Sequence, residues 1–305
     1  MRFTIFIQVF FLFLVTISAM IPVRGQTAPG ALGQPAESLL LITADVQRHL
    51  HDDVYRFPYA QDASGQNIFR ASLVRLANYE KLYPGKMPDV VAMVKAQAFE
   101  RLGAFKEAGA NYLEAEKSKD SAMKKAAATG LARAKVFSEV ADLPIDRSAL
   151  RPFERDLLER IRKWKDVAIK YSKTPYESLA LLQKEQSQME LAQFYISMRW
   201  MQPYDLQDAL EQIKTNLKEN PTSKRRFQHH LMRGNLYYTL AREYVVLHDP
   251  EGAAFDDRRF NDFVAAARTE FTTVENADVF DEKVEGRAML QALDEFSETI
   301  LNRAQ

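Results

Sequence analysis

The sequence predicts an all-α fold built of antiparallel helix hairpins stacked in series. Three observations lead there. Apolar residues recur at spacings of three and four through long windows rich in Ala, Leu, Glu, Lys and Gln. No run of alternating β-branched residues competes with that pattern. Breakers such as Tyr83-Pro84-Gly85, Leu143-Pro144, Lys173-Thr174-Pro175, Gln202-Pro203, Asn220-Pro221 and Asp249-Pro250 punctuate it at intervals suited to short turns. Helices joined by short turns form hairpins, and hairpins in series bury a continuous core.

The chain opens differently. Arg2 precedes an apolar run, Phe3–Ile21, and Pro22-Val23-Arg24-Gly25-Gln26 follows. A positive residue, an apolar stretch and small residues near a Pro are the parts of a secretory signal. Residues 1–25 therefore read as a signal peptide, with Val23 and Gly25 placed for a cut before Gln26. Ile17-Ser18-Ala19 offers a second cut. The same run is just long enough for an uncleaved anchor. Residues 26–36 (QTAPGALGQPA) read as a flexible leader.

Eleven helices are expected beyond the leader: Glu37–His51, Ile68–Leu82, Asp89–Leu102, Phe105–Lys117, Ser121–Val140, Pro152–Tyr171, Tyr176–Met198, Leu206–Lys218, Lys224–Leu247, Arg258–Val274 and Phe280–Asn302. Three regions follow from their patterning. Residues 37–143 carry repeats, 144–221 form a helical middle region without them, and 222–305 form a C-terminal helical region with a partial repeat.

The segment Val90–Lys117 (VVAMVKAQAFERLGAFKEAGANYLEAEK) is the sharpest local pattern. Ala96, Ala108 and Ala115 would let two helix backbones approach, and Phe99, Phe105 and Tyr112 would fill the space beside them. Gly103 would permit the backbone of a helix end. Gly130 stands thirty-four residues after Ala96, behind Ala126-Ala127-Ala128-Thr129. Leu231–Tyr244 repeats the first-helix pattern through Gly234, Tyr237, Tyr238 and Ala241. At these positions the chain resembles the tetratricopeptide repeat proteins, a period and small-aromatic pattern of that family. Departures are Ala92 where a large residue is usual, Lys95 where Leu is usual, and the inserted loop HDPEGAAFDD after Leu247. The resemblance implies a tetratricopeptide-like right-handed solenoid of the bacterial cell envelope. It further implies that first helices line a concave face, which makes Lys95 and Gln97 candidates for partner binding.

Chemistry is sparse. Cysteine is absent, which excludes disulfides, thiolate metal sites and Cys nucleophiles. His49 and His51 point to different sides of a helix, as do His229 and His230, and His248-Asp249-Pro250 reads as a helix exit. No His-Glu-x-x-His, Gly-x-Ser-x-Gly or phosphate-binding Gly-rich loop occurs, and only 11 Gly are present in 305 residues. Catalytic, cofactor-binding and metal-binding residues are therefore expected to be none, and no cofactor is expected. Without Arg2 and Arg24 the mature chain has 39 basic and 41 acidic residues, a net charge of −2. Nucleic-acid binders are usually strongly basic, so no nucleic-acid partner is expected. Two local clusters could meet an anionic partner: Arg160, Arg162, Lys163, Lys165 and Lys170 around Trp164, and Lys224-Arg225-Arg226.

The expectation from sequence is an exported scaffold that is not an enzyme and binds a protein or peptide in the cell envelope. It would be periplasmic or extracellular, touching the membrane only through an uncleaved N-terminal segment. The alternative is an envelope hydrolase of cell-wall or glycan material using paired carboxylates, which only the fold can bring together.

Overall fold

A computed structural model describes residues 38–56 and 64–304. The apolar run Phe3–Ile21, the cut before Gln26 and the leader lie outside the described residues. Among the described residues there are eleven helices and no strand: α1 (Leu39–Leu50), α2 (Asn67–Leu82), α3 (Pro88–Arg101), α4 (Phe105–Ala115), α5 (Ser121–Ala141), α6 (Leu150–Lys170), α7 (Pro175–Met198), α8 (Leu206–Glu219), α9 (Arg226–Leu247), α10 (Asp257–Glu275) and α11 (Phe280–Arg303). None is long and apolar enough to cross a membrane. Each corresponds to a helix expected from periodicity.

The caps explain the boundaries. Ser38, Asp120, Thr174, Asp205 and Asp256 each accept a backbone N–H from the first turn of the helix that follows. Asp205 and Asp208 form a reciprocal capping box. Pro88 and Pro175 start α3 and α7, where a missing N–H costs nothing. Helix α6 begins at Leu150, two residues ahead of the expected Pro152, because a Pro within the first turn removes no intrahelical hydrogen bond. Gly103, at φ +78°, makes the left-handed turn between α3 and α4.

Each helix packs on the next along the chain, and α1 with α3, α3 with α5 and α9 with α11 also touch. The buried core is accordingly local. Ile42, Val46, Phe69, Leu76, Val91 and Val94 fill the space among α1, α2 and α3. Phe105, Phe137 and Trp164 then form an aromatic cluster from α4, α5 and α6, with ring centroids 5.1–6.1 Å apart. In the C-terminal helices Phe260, Phe271, Val274 and Leu293 are fully buried.

Small residues set the helix crossings. Ala96, Ala108, Ala115 and Ala241 are completely buried, as is Tyr112, and Phe105 is nearly so. Phe99, Tyr237 and Tyr238 are partly buried against the same clusters. At Gly130 a Cβ would lie 2.4 Å from the Tyr112 ring, and at Gly234 one would lie 2.5 Å from the Phe271 ring. Both crossings thus need glycine for backbone approach rather than for a special φ.

Candidate functional site

Three buried carboxylates organise the interior. Glu100 of α3 takes Arg133 of α5 in a fork, Nε at 2.6 Å and Nη2 at 2.8 Å, and accepts the Tyr112 hydroxyl at 2.7 Å. The Arg133 guanidinium also lies 3.7 Å from the Tyr176 ring centroid. Burial and the Glu100 charge push the Tyr112 phenol far above its ordinary value.

Glu185 of α7 is the second and is fully buried. It accepts His229 Nε2 at 2.8 Å, Ser223 Oγ at 2.7 Å and the Tyr55 hydroxyl. Burial alone would raise this carboxyl, yet the hydrogen bonds from His229, Tyr55 and Ser223 outweigh it and hold the group below its usual range. The cluster joins three distant segments: the connection after α1, the middle of α7 and the start of α9. The same connection is gripped twice more. Arg101 Nη2 donates to Asp52 O at 2.6 Å, and Lys224 Nζ donates to Val54 O at 2.7 Å. Glu270 is the third, bound by His230 at 2.8 Å and by Arg233 at 2.5 Å.

An Asp/Glu–His pair beside hydroxyls invites a catalytic reading. Here neither Glu185 nor His229 exposes any side-chain surface. Glu185 is engaged by His229, Tyr55 and Ser223, while the other ring nitrogen of His229, Nδ1, is buried without a hydrogen-bond partner. Among the described residues no group of three or more His, Asp or Glu side chains converges as a metal site.

The histidines separate as their spacing requires. His49 pairs with Asp52 at 2.9 Å, whereas His51 ends α1. The adjacent His229 and His230 go to Glu185 and Glu270 respectively. His248 ends α9 and stacks on Tyr244 at 4.4 Å.

Surface candidates fare differently from one another. Lys95 is half-buried and bound to Glu80 at 2.5 Å, and Gln97 accepts from Gln47 at 2.8 Å. Both therefore face α1 and α2. Arg160 donates to Leu143 O, and Arg162 and Lys163 share Glu159. Lys224 points inward as described.

Of the open clefts among the described residues, two bear on binding. The first, about 290 Å³, is lined by Trp200, Leu206, Leu240, Leu247 and Phe263 with Arg199, Glu243 and Arg259 at its polar side. Trp200 is 65% exposed and Leu247 70%. The second, about 570 Å³, lies between α5 and the end of α6. Sequence reading passed over Trp200, because a Trp at a helix end is as consistent with core as with surface. It passed over Tyr55 and Glu185 because their partners lie 130 residues apart.

Comparison of the chain with protein-family models, curated proteins and solved structures finds no match.

Proposed function

We propose that this protein is an exported, non-catalytic helical scaffold that binds a protein or peptide partner in the cell envelope. Its hairpins would stack as a tetratricopeptide-like right-handed solenoid. The observation that carries the reading is the cleft at Trp200. Large apolar side chains line it, and Trp200, Met201, Val246 and Leu247 are all more than half exposed. Exposed apolar patches of this kind mark interaction surfaces, and Trp beside Arg is the usual composition of an interface anchor.

The acid–base groups support the same reading. Glu100 and Glu270 are each paired with an arginine inside the fold, and Glu185 accepts hydrogen bonds from His229, Tyr55 and Ser223. None is left to polarise a bond in a substrate. Capture through Lys95 and Gln97 would require breaking their contacts with Glu80 and Gln47, so the open clefts are the better docking places.

The test is site-specific photo-crosslinking at Leu247 in cells, with Trp200→Ala as the paired variant. A discrete crosslinked partner that disappears in Trp200→Ala, at unchanged melting temperature, is the expected result. Purified protein that hydrolyses peptidoglycan or glycosides, with activity lost on replacing one carboxylate, would sink the scaffold reading. Export is checked by fractionation, which should place the protein outside the cytoplasm with an N-terminus near Gln26.

A further inference from the structure

We propose that the cleft between α5 and the C-terminal end of α6 binds an acidic peptide segment with a small apolar face. This inference deepens the scaffold reading and rests on it. The cleft is lined by Lys125, Ala128, Thr129, Ala132, Arg133, Val136, Lys170 and Tyr171. No carboxylate lines it. Arg133 is neutralised from beneath by Glu100. The ammonium groups of Lys125 and Lys170 have no carboxylate partner among the described residues, and Lys170 lies only against the Tyr171 ring, 5.7 Å from its centroid. Elsewhere on α6 the cations Arg155, Arg162 and Lys163 are each matched by an acid of the same helix. Arg151 and Lys165 of α6 and Lys124 and Lys135 of α5 likewise make no ion pair among the described residues, but none of them lines this cleft, whereas Lys125 and Lys170 both do.

Shape chooses among anionic ligands. Ala128 and Ala132 stand one helical turn apart and leave room for a backbone to approach α5. Val136 and Tyr171 continue that floor with apolar surface. A ligand that brings only negative charge would leave this floor in water. A segment with acids on one edge and small apolar residues on its face would use both features, and the two lysines would set its orientation and on-rate. A nucleic acid or a lipid surface would want a broader field than a mature net charge of −2 provides.

The test uses the full chain as isolated from cells and two labelled helical peptides, one of Glu, Ala and Leu and its counterpart of Lys, Ala and Leu. Fluorescence anisotropy should detect the acidic peptide alone, with affinity falling as salt rises. Lys125→Glu with Lys170→Glu should weaken binding about tenfold or more, since each like-charge contact opposes docking. The matched surface changes Lys119→Glu and Lys218→Glu should leave it unaltered. Ala132→Trp, which fills the cleft without changing charge, should weaken it as well. Equal binding of both peptides, or indifference to the double variant, overturns the proposal. So does displacement of the peptide by inorganic phosphate or by phosphatidylglycerol vesicles, which would make the ligand a phosphate or a headgroup. If the peptide fails here while crosslinking at Leu247 still depends on Trp200, the acidic-peptide assignment falls and the scaffold reading stands. If both fail, the scaffold reading falls too.

Discussion

The ring of Tyr112 lies against the backbone of Gly130, so close that a Cβ on residue 130 would be 2.4 Å from Tyr112 Cε1. Tyr112 cannot swing aside freely, because its hydroxyl is held by Glu100 and Arg133. This one contact couples a helix crossing to a buried ion pair.

Gly130→Ala should therefore destabilise the protein. Alanine is the better helix former by about 1 kcal/mol, but overpacking a fixed ring costs about 1–3 kcal/mol. Gly109→Ala is the control: its Cβ would meet only Leu131 Cδ1 at an ordinary 3.8 Å. That variant should gain stability, by about 0.5–1 kcal/mol from propensity. Thermal melts of the two variants should move in opposite directions.

Breaking the Glu100–Arg133 pair should cost more than removing it. Glu100→Ala leaves the guanidinium buried without its carboxylate, a loss of about 3–5 kcal/mol. Replacing both, as Glu100→Leu with Arg133→Met, should be markedly milder, since no charge is left stranded. Urea denaturation of the single and double variants measures the difference. A double variant as unstable as the single would show that packing, not charge, dominates there.

Acid should loosen the Glu185 cluster. The folded-state carboxyl is depressed by His229, Tyr55 and Ser223, so its contribution is present in full above its ordinary value of 4.5 and is lost as pH falls through the folded value. Glu185→Gln should remove that part of the pH dependence and flatten stability between neutral and acidic conditions. Tyr55 has the opposite sign. Its phenol is raised by burial and by Glu185, so its contribution is complete below about pH 10 and declines above it. Tyr55→Phe should lessen alkaline unfolding. Denaturation curves across pH for both variants test the two limbs separately.

The helices were legible because their causes are local. Asp120, Thr174, Asp205 and Asp256 cap the helices beside them, and Pro and Gly residues mark the turns between. Local sequence also marked the small residues at the crossings, since Ala96, Ala108 and Gly130 act on backbones one turn or one helix away. The histidine separations were legible for the same reason: residues one or two apart on a helix point apart.

What only the tertiary structure decided depends on residues far apart in the chain. Tyr55, Glu185, Ser223 and His229 meet only because α7 and the start of α9 are folded against the connection after α1. Lys125 and Lys170 face one cleft from two helices, and no pattern along either helix distinguishes them from solvated lysines. Trp200 and Leu247 share a wall for the same reason. Periodicity determines which residues share a face of one helix, but the face another helix covers is settled by packing among all of them.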